Sequence, residues 1–223
     1  RSGSGEYPVL SAAPAVLRED LGFPYTYGAG FVQAVLRSKG WQALDACYQQ
    51  MPASSAQIMH PEKFLAGEKP VKIQLEGLEP VLGPDWKRID EDVNGEFGYL
   101  LAMNQFIDKR RAARAASGWA GDRYALYEDK RTKNSILVQY TTWETPAAAN
   151  NFINAYSDRT SMRYHTLQTS NPDNNSDLYR TDEGLAYLSI NGNDVVIVEG
   201  ASNPAQLKAI KDLVWKSKKE TRT

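Results

Sequence analysis

The sequence predicts an α+β fold in which an N-terminal helical lobe is followed by an antiparallel sheet with helices on one face. Three observations predict it. Apolar residues recur at helical spacing through the first half, strand-like alternation replaces that spacing beyond the small-residue loop Ala116 to Gly121, and an Asn-Gly pair separates two of the alternating segments. The 223 residues accordingly divide into a mainly helical lobe over 1–116 and an α+β domain over 117–223, ordered β-β-α-β-β-β-α.

Pro14 to Leu21 reads as a short apolar helix, ended by the Gly22-Phe23-Pro24 break. A longer helix from Tyr27 to Gln50 carries Phe31, Val35, Leu36, Leu44 and Tyr48, with an interruption expected at Gly40. Ser54-Ser55-Ala56-Gln57 has the S-x-x-Q spacing of a capping box, so a short helix begins after Pro52. Val71 to Leu75 alternates as a strand, and Gly77 to Pro84 reads as a loop. Asp90-Glu91-Asp92 then stands ahead of a helix over 93–117. There Lys109, Arg110, Arg111 and Arg114 crowd the last turns, and the negative end of the helix dipole favours cations.

Beyond that helix, Arg123 to Glu128 and Ser135 to Trp143 read as strands joined by a polar turn near Lys130 to Asn134. Thr145-Pro146 is an N-cap followed by a first-turn proline. The helix it opens has Ala148, Ala149, Phe152, Ile153 and Tyr156 on one face. Strands are expected at Met162 to Gln168, Asp177 to Thr181, Leu185 to Ile190 and Asp194 to Glu199, with Asn191-Gly192 as the hairpin turn between the last two. Asn203-Pro204 repeats the cap-and-proline start. In the final helix Leu207, Ile210 and Val214 face the sheet, and Lys208, Lys211 and Lys216 face water.

Composition excludes several function classes. With 26 Lys and Arg against 27 Asp and Glu, the formal net charge is -1, which argues against a protein built to neutralise phosphates. A nucleic-acid interface on the basic cluster would need Trp119 and Tyr124 as stacking groups, and no nucleic acid is expected. No uninterrupted apolar run is long enough for a transmembrane segment. The single Cys47 cannot form an internal disulfide and reads as a small buried hydrophobe. The opening RSGSGEYPVL has no basic or apolar leader region, so a signal peptide, if there was one, has gone, and Arg1 to Gly5 reads as a tail or cloning remnant.

Candidate chemistry is sparse. His60 and Glu62 flank Pro61, where a turn closed by their hydrogen bonds competes with a metal role. Asp173, Asn175 and Asp177 supply alternating oxygen ligands like the start of a calcium loop, but Leu178 and Gly184 stand where that loop needs glycine and glutamate. Gly28-Ala29-Gly30 lacks the third glycine and preceding strand of a phosphate loop. No G-x-S-x-G elbow is present, and Asp85, Asp90, Glu91 and Asp92 have the spacing of caps and solvated loops. No catalytic residue is assigned.

Several segments resemble those of a zincin-like exported bacterial protein family: FPYTYG, GWQALDACY, SSAQIMHPEKFL, and GWAGDRYALY followed by TTWETPAAANNF. The resemblance covers most of the chain and rests on motifs of structural character. It implies that residues 23–65 follow a pair of metal-binding helices, yet the chain has neither the H-E-x-x-H motif nor the later acidic ligand. Two histidines one turn apart would be needed to hold a zinc ion, and His60 and His165 are distant in sequence. The resemblance therefore implies a non-catalytic binding or structural portion of an exported (periplasmic or extracellular) protein, packing on a metal-binding core or a protein partner. The alternatives are the support lobe of a zinc metallopeptidase whose catalytic helices and zinc lie in a missing N-terminal segment, or a free-standing assembly protein. No cofactor is expected in this chain itself.

Overall fold

The computed structural model describes residues 8–75, 77–167, 170 and 175–220, and the chain divides into two compact units, Arg1–Lys69 and Pro70–Thr223. This division falls well before the 116/117 boundary expected from the change of period.

The first unit is helical: α1 (Pro8–Ala12), α2 (Ala15–Phe23), α3 (Ala29–Ala46), α4 (Ser55–Met59) and α5 (Pro61–Leu65). The chain does not break at Gly22-Phe23-Pro24. A π-helical turn over Pro24–Gly28 carries α2 directly into α3, because widening the helix relieves the clash of the proline ring with the carbonyl four residues back. The interruption expected in the longer helix is present, at Gly40 with φ 76° and ψ -174°. At α4, Ser54 Oγ accepts from Gln57 N at 3.3 Å, while Gln57 Oε1 accepts from Ala53 N at 2.5 Å, one residue further back than in a capping box. Phe31 packs edge-on against Phe64, ring centres 5.1 Å apart.

The second unit runs β1 (Lys72–Gln74), α6 (Leu78–Leu82), β2 (Trp86–Asp92), α7 (Gly95–Asn104), α8 (Lys109–Ala116), β3 (Trp119–Asp129), β4 (Ser135–Trp143), α9 (Pro146–Tyr164), β5 (Ser176–Thr181), β6 (Gly184–Asn191), β7 (Asp194–Ala201), α10 (Pro204–Val214) and β8 (Lys218–Glu220). Six strands form one antiparallel sheet in the order β2-β3-β4-β7-β6-β5, and β1 pairs with β8 in a separate ribbon. The α+β class stands, and β3 to α10 run β-β-α-β-β-β-α. Both cap-and-proline starts form as read: Thr145 accepts from Ala148 N at 3.1 Å and Asn203 from Gln206 N at 2.9 Å.

Helices cover both faces of the sheet, not one. Cross-strand partners share a face, and the register pairs Val138 with Val198 and Tyr140 with Val196. These residues pack in one cluster with Leu78 and Leu82 of α6 and Leu207, Ile210 and Val214 of α10. The same register pairs Leu137 with Glu199 and Gln139 with Ile197. On that second face lies α9, whose Tyr156 is hydrogen-bonded to both Gln139 and Glu199.

Four local expectations are corrected. The Gly77–Pro84 loop contains α6, because Leu78 and Leu82 bury one face of a helical turn between Gly77 and Gly83. The acidic run at 90–92 precedes α7 as expected but belongs to β2, where Asp90 and Glu91 meet Tyr124 and Arg123 across the strands instead of the helix end. The helix expected over 93–117 is two helices, since Asp108 accepts from Arg110 N and Arg111 N, both at 3.1 Å, and starts a new one. Lys109, Arg110 and Arg111 therefore occupy a first turn, where the dipole disfavours them. The strand expected at 162–168 is displaced by the end of α9, which stops at His165 with φ 49°; Gln168 lies outside the described residues.

Candidate functional site

The polar residues that the second unit takes out of water are concentrated on the α9-covered face of the sheet. Asp122 on β3 is 2% exposed. It accepts from Asn94 N at 2.9 Å, Gly95 N at 3.0 Å and Trp119 Nε1 at 2.8 Å, and so closes the N-terminus of α7 from a strand. Burial pushes its carboxyl up to about 6, against the opposing pull of those donors.

Asn94 carries the network onward. Its Nδ2 donates to Gln139 Oε1 at 3.1 Å, which also accepts from Tyr99 OH at 3.2 Å. Gln139 Nε2 donates to Tyr156 OH at 2.9 Å, and Tyr156 OH donates to Glu199 Oε1 at 2.7 Å. Glu199 is 3% exposed. It is met by Arg159 Nη1 at 2.8 Å, Arg163 Nη1 at 2.7 Å and Tyr164 OH at 2.9 Å. Arg163 extends to Glu183 at 2.9 Å, on the exposed side. The order is one chain of contacts from α7 across β3, β4 and β7 to α9.

Burial drives the Tyr156 and Tyr164 hydroxyls upward, so both remain neutral donors. Burial opposes the charge of Arg159, yet Tyr156 and Glu199 raise its pKa overall, so the guanidinium stays charged. Arg159 also lies over the Tyr156 ring at 4.8 Å and the Phe106 ring at 5.6 Å. Each carboxylate in the network is answered by several donors. The arrangement fastens helices to a sheet.

The residues singled out from sequence are dispersed. His60 Nδ1 stands 3.8 Å from Glu62 Oε1, and the turn at Pro61 is closed through the backbone, where Lys63 N donates to His60 O and Ala66 N to Glu62 O, each at 2.9 Å. His60 belongs to the first unit and His165 to the second. Asp173 lies outside the described residues. Asn175 is exposed at the turn before β5, and Asp177 accepts from Ser157 Oγ at 3.0 Å. Among the described residues, no group of three or more His, Cys, Asp or Glu side chains could hold a metal ion.

The other candidates have structural partners. Asp90 accepts from Tyr124 at 2.7 Å, Glu91 pairs with Arg88 and with Arg123, and Asp85 lies 3.7 Å from Arg131. Trp119 is buried. Gly28 closes the π turn and Ala29 and Gly30 open α3, so no phosphate loop forms. The Cys47 thiol is only half-buried, not the buried hydrophobe expected; it donates to Ala43 O at 3.3 Å and its pKa is raised by partial burial.

Asp122, Gln139, Arg159 and Glu199 were not singled out by sequence reasoning. Two carried a signal: Gln139 interrupts the run Ile136-Leu137-Val138, and Glu199 ends Val195-Val196-Ile197-Val198. A polar residue inside a strand buried on both faces needs a partner.

A family model described as Domain of unknown function (DUF8575) matches residues 81–211, more than half of the chain. The matched stretch lies within the second unit and contains all of the buried network. No curated protein and no solved structure matches the chain.

Proposed function

The chain belongs to the DUF8575 family, and from that premise we propose that it is a non-catalytic binding and structural protein that packs on a protein partner. The observation that carries this reading is the exposed apolar surface of the first unit. Leu17 is 54% exposed, Leu21 63% and Tyr25 82%, and Trp41, Tyr48 and Met51 are exposed as well. Leu17, Leu21 and Tyr25 follow at intervals of four residues, which sets them along one side of the α2 helix and the π turn. Apolar side chains gathered in this way favour association. The polar network of the second unit supports the same reading, because its ionisable groups are spent on one another.

An exported setting and a metal-binding, zincin-like companion rest on the resemblance of the FPYTYG and GWQALDACY segments. Native purification of the full chain from its own cells tests the reading. A stoichiometric companion should be recovered with the wild type and lost with Leu17→Glu/Leu21→Glu, while circular dichroism stays unchanged. Equal recovery with both forms would sink the proposal. A companion bearing H-E-x-x-H would make the chain a support lobe of a metallopeptidase.

A further inference from the structure

We propose that Gly40 is a hinge, and that Trp41 to Gln50 form an arm that swings between the bent position and a straight continuation of α3. This goes beyond the partner-binding reading and does not depend on it. Three observations carry it. Gly40 has φ 76° and ψ -174° with helix on both sides, a backbone region open to glycine almost alone. A Cβ built on Gly40 would meet nothing within 4 Å, so no neighbouring atom wedges the bend in place. From Leu36 to Gln50 no side chain is buried, so the arm lacks the packing that fixes a rigid element.

The straight form is a close competitor for a local reason. The flanking residues, Ala34-Val35-Leu36-Arg37-Ser38-Lys39 and Trp41-Gln42-Ala43-Leu44, are mostly good helix formers, and a single interior glycine is a modest penalty against a continuous helix. Gly40 holds the two forms close together, since it alone tolerates the bend and only weakly opposes the straight helix. Beyond the arm the chain is anchored again at Ala56 and Gln57, both buried in or beside α4. The arm is thus a strap held at both ends, and swinging it moves the exposed Trp41 and Tyr48 rings.

Cys47, the single cysteine, lies on the arm and gives a labelling site in the full chain. With a second nitroxide at Gln33→Cys on the exposed side of α3, pulsed dipolar spectroscopy reads the bend directly. Fourteen residues of straight helix span about 21 Å, and any bend shortens that. The wild type should give two populations, one near this length and one shorter. Gly40→Ala should leave the long one alone, and the amides of Trp41 to Leu44 should exchange more slowly. A single narrow population in the wild type would overturn the hinge, as would a Gly40→Ala variant that keeps the short distance and melts at lower temperature. Should that variant fail to fold, the wild-type distribution decides.

Discussion

Asp122 is a carboxylate whose ionisation is opposed by burial and favoured by the donors it holds, and burial prevails. Its folded-state pKa of about 6 lies above the ordinary aspartate value, so the native chain binds this proton more tightly than the unfolded chain. Stability from this group is therefore fully present at pH values below the ordinary aspartate range and falls as pH rises toward 6, by on the order of 3 kcal/mol in all. Urea unfolding of the wild type and Asp122→Asn between pH 4 and 7 checks this: the variant should show a flatter profile, and parallel profiles would contradict the assignment. Glu199 is held by two arginines, Arg159 and Arg163, and two tyrosine hydroxyls. Glu199→Ala leaves Arg159 buried and uncompensated, a loss of about 3–5 kcal/mol, whereas Glu199→Gln should cost less because an acceptor oxygen remains; chemical denaturation of both variants gives the comparison. At this scale the sequence was partly legible. Glu199 stands out beside Val195-Val196-Ile197-Val198, but Asp122 does not, since its partner Asn94 is 28 positions away.

Elements were readable where one local signal fixed them and misread where tertiary contacts intervened. Thr145-Pro146 and Asn203-Pro204 start helices as read because the cap and the proline act within four residues. Thr145→Ala should lower stability by about 1 kcal/mol, seen as a shift in the urea midpoint without a change of slope. The split between α7 and α8 escaped notice because the helical period runs on across it, and only the Asp108 side chain, turned onto Arg110 and Arg111, breaks it. The expected strand at 162–168 failed because α9 continues past Met162 until His165 takes a left-handed turn. β8 was not anticipated at all, since Lys218-Lys219-Glu220 has no apolar alternation and is held by pairing with β1. Gly200 shows how tightly the central strands meet. Its φ is 92°, and a Cβ there would run into the Ser135 carbonyl oxygen. Gly200→Ala should accordingly destabilise the sheet by more than the loss of a helix cap, and the same unfolding curves would show it.

The two units differ in how much they bury. The second unit holds a large apolar cluster on one face of its sheet and a polar network on the other, whereas Phe31, Val35, Ala56 and Gln57 are the buried residues described in the first. Residues 70–223 expressed alone should unfold in one cooperative transition, as followed by far-UV and near-UV circular dichroism together; non-coincident transitions would show that the unit is incomplete. The apolar surface of the first unit is the feature that gives the protein a proposed role, and its extent is decided only once the helices are placed. The most direct test of that role is photocrosslinking in the native cells from a photoreactive residue at Tyr25, with Lys208 on the exposed side of α10 as the control position. The account predicts a discrete protein adduct from position 25 that Leu21→Glu removes, and none from position 208. The same adducts from both positions, or none from either, would contradict it.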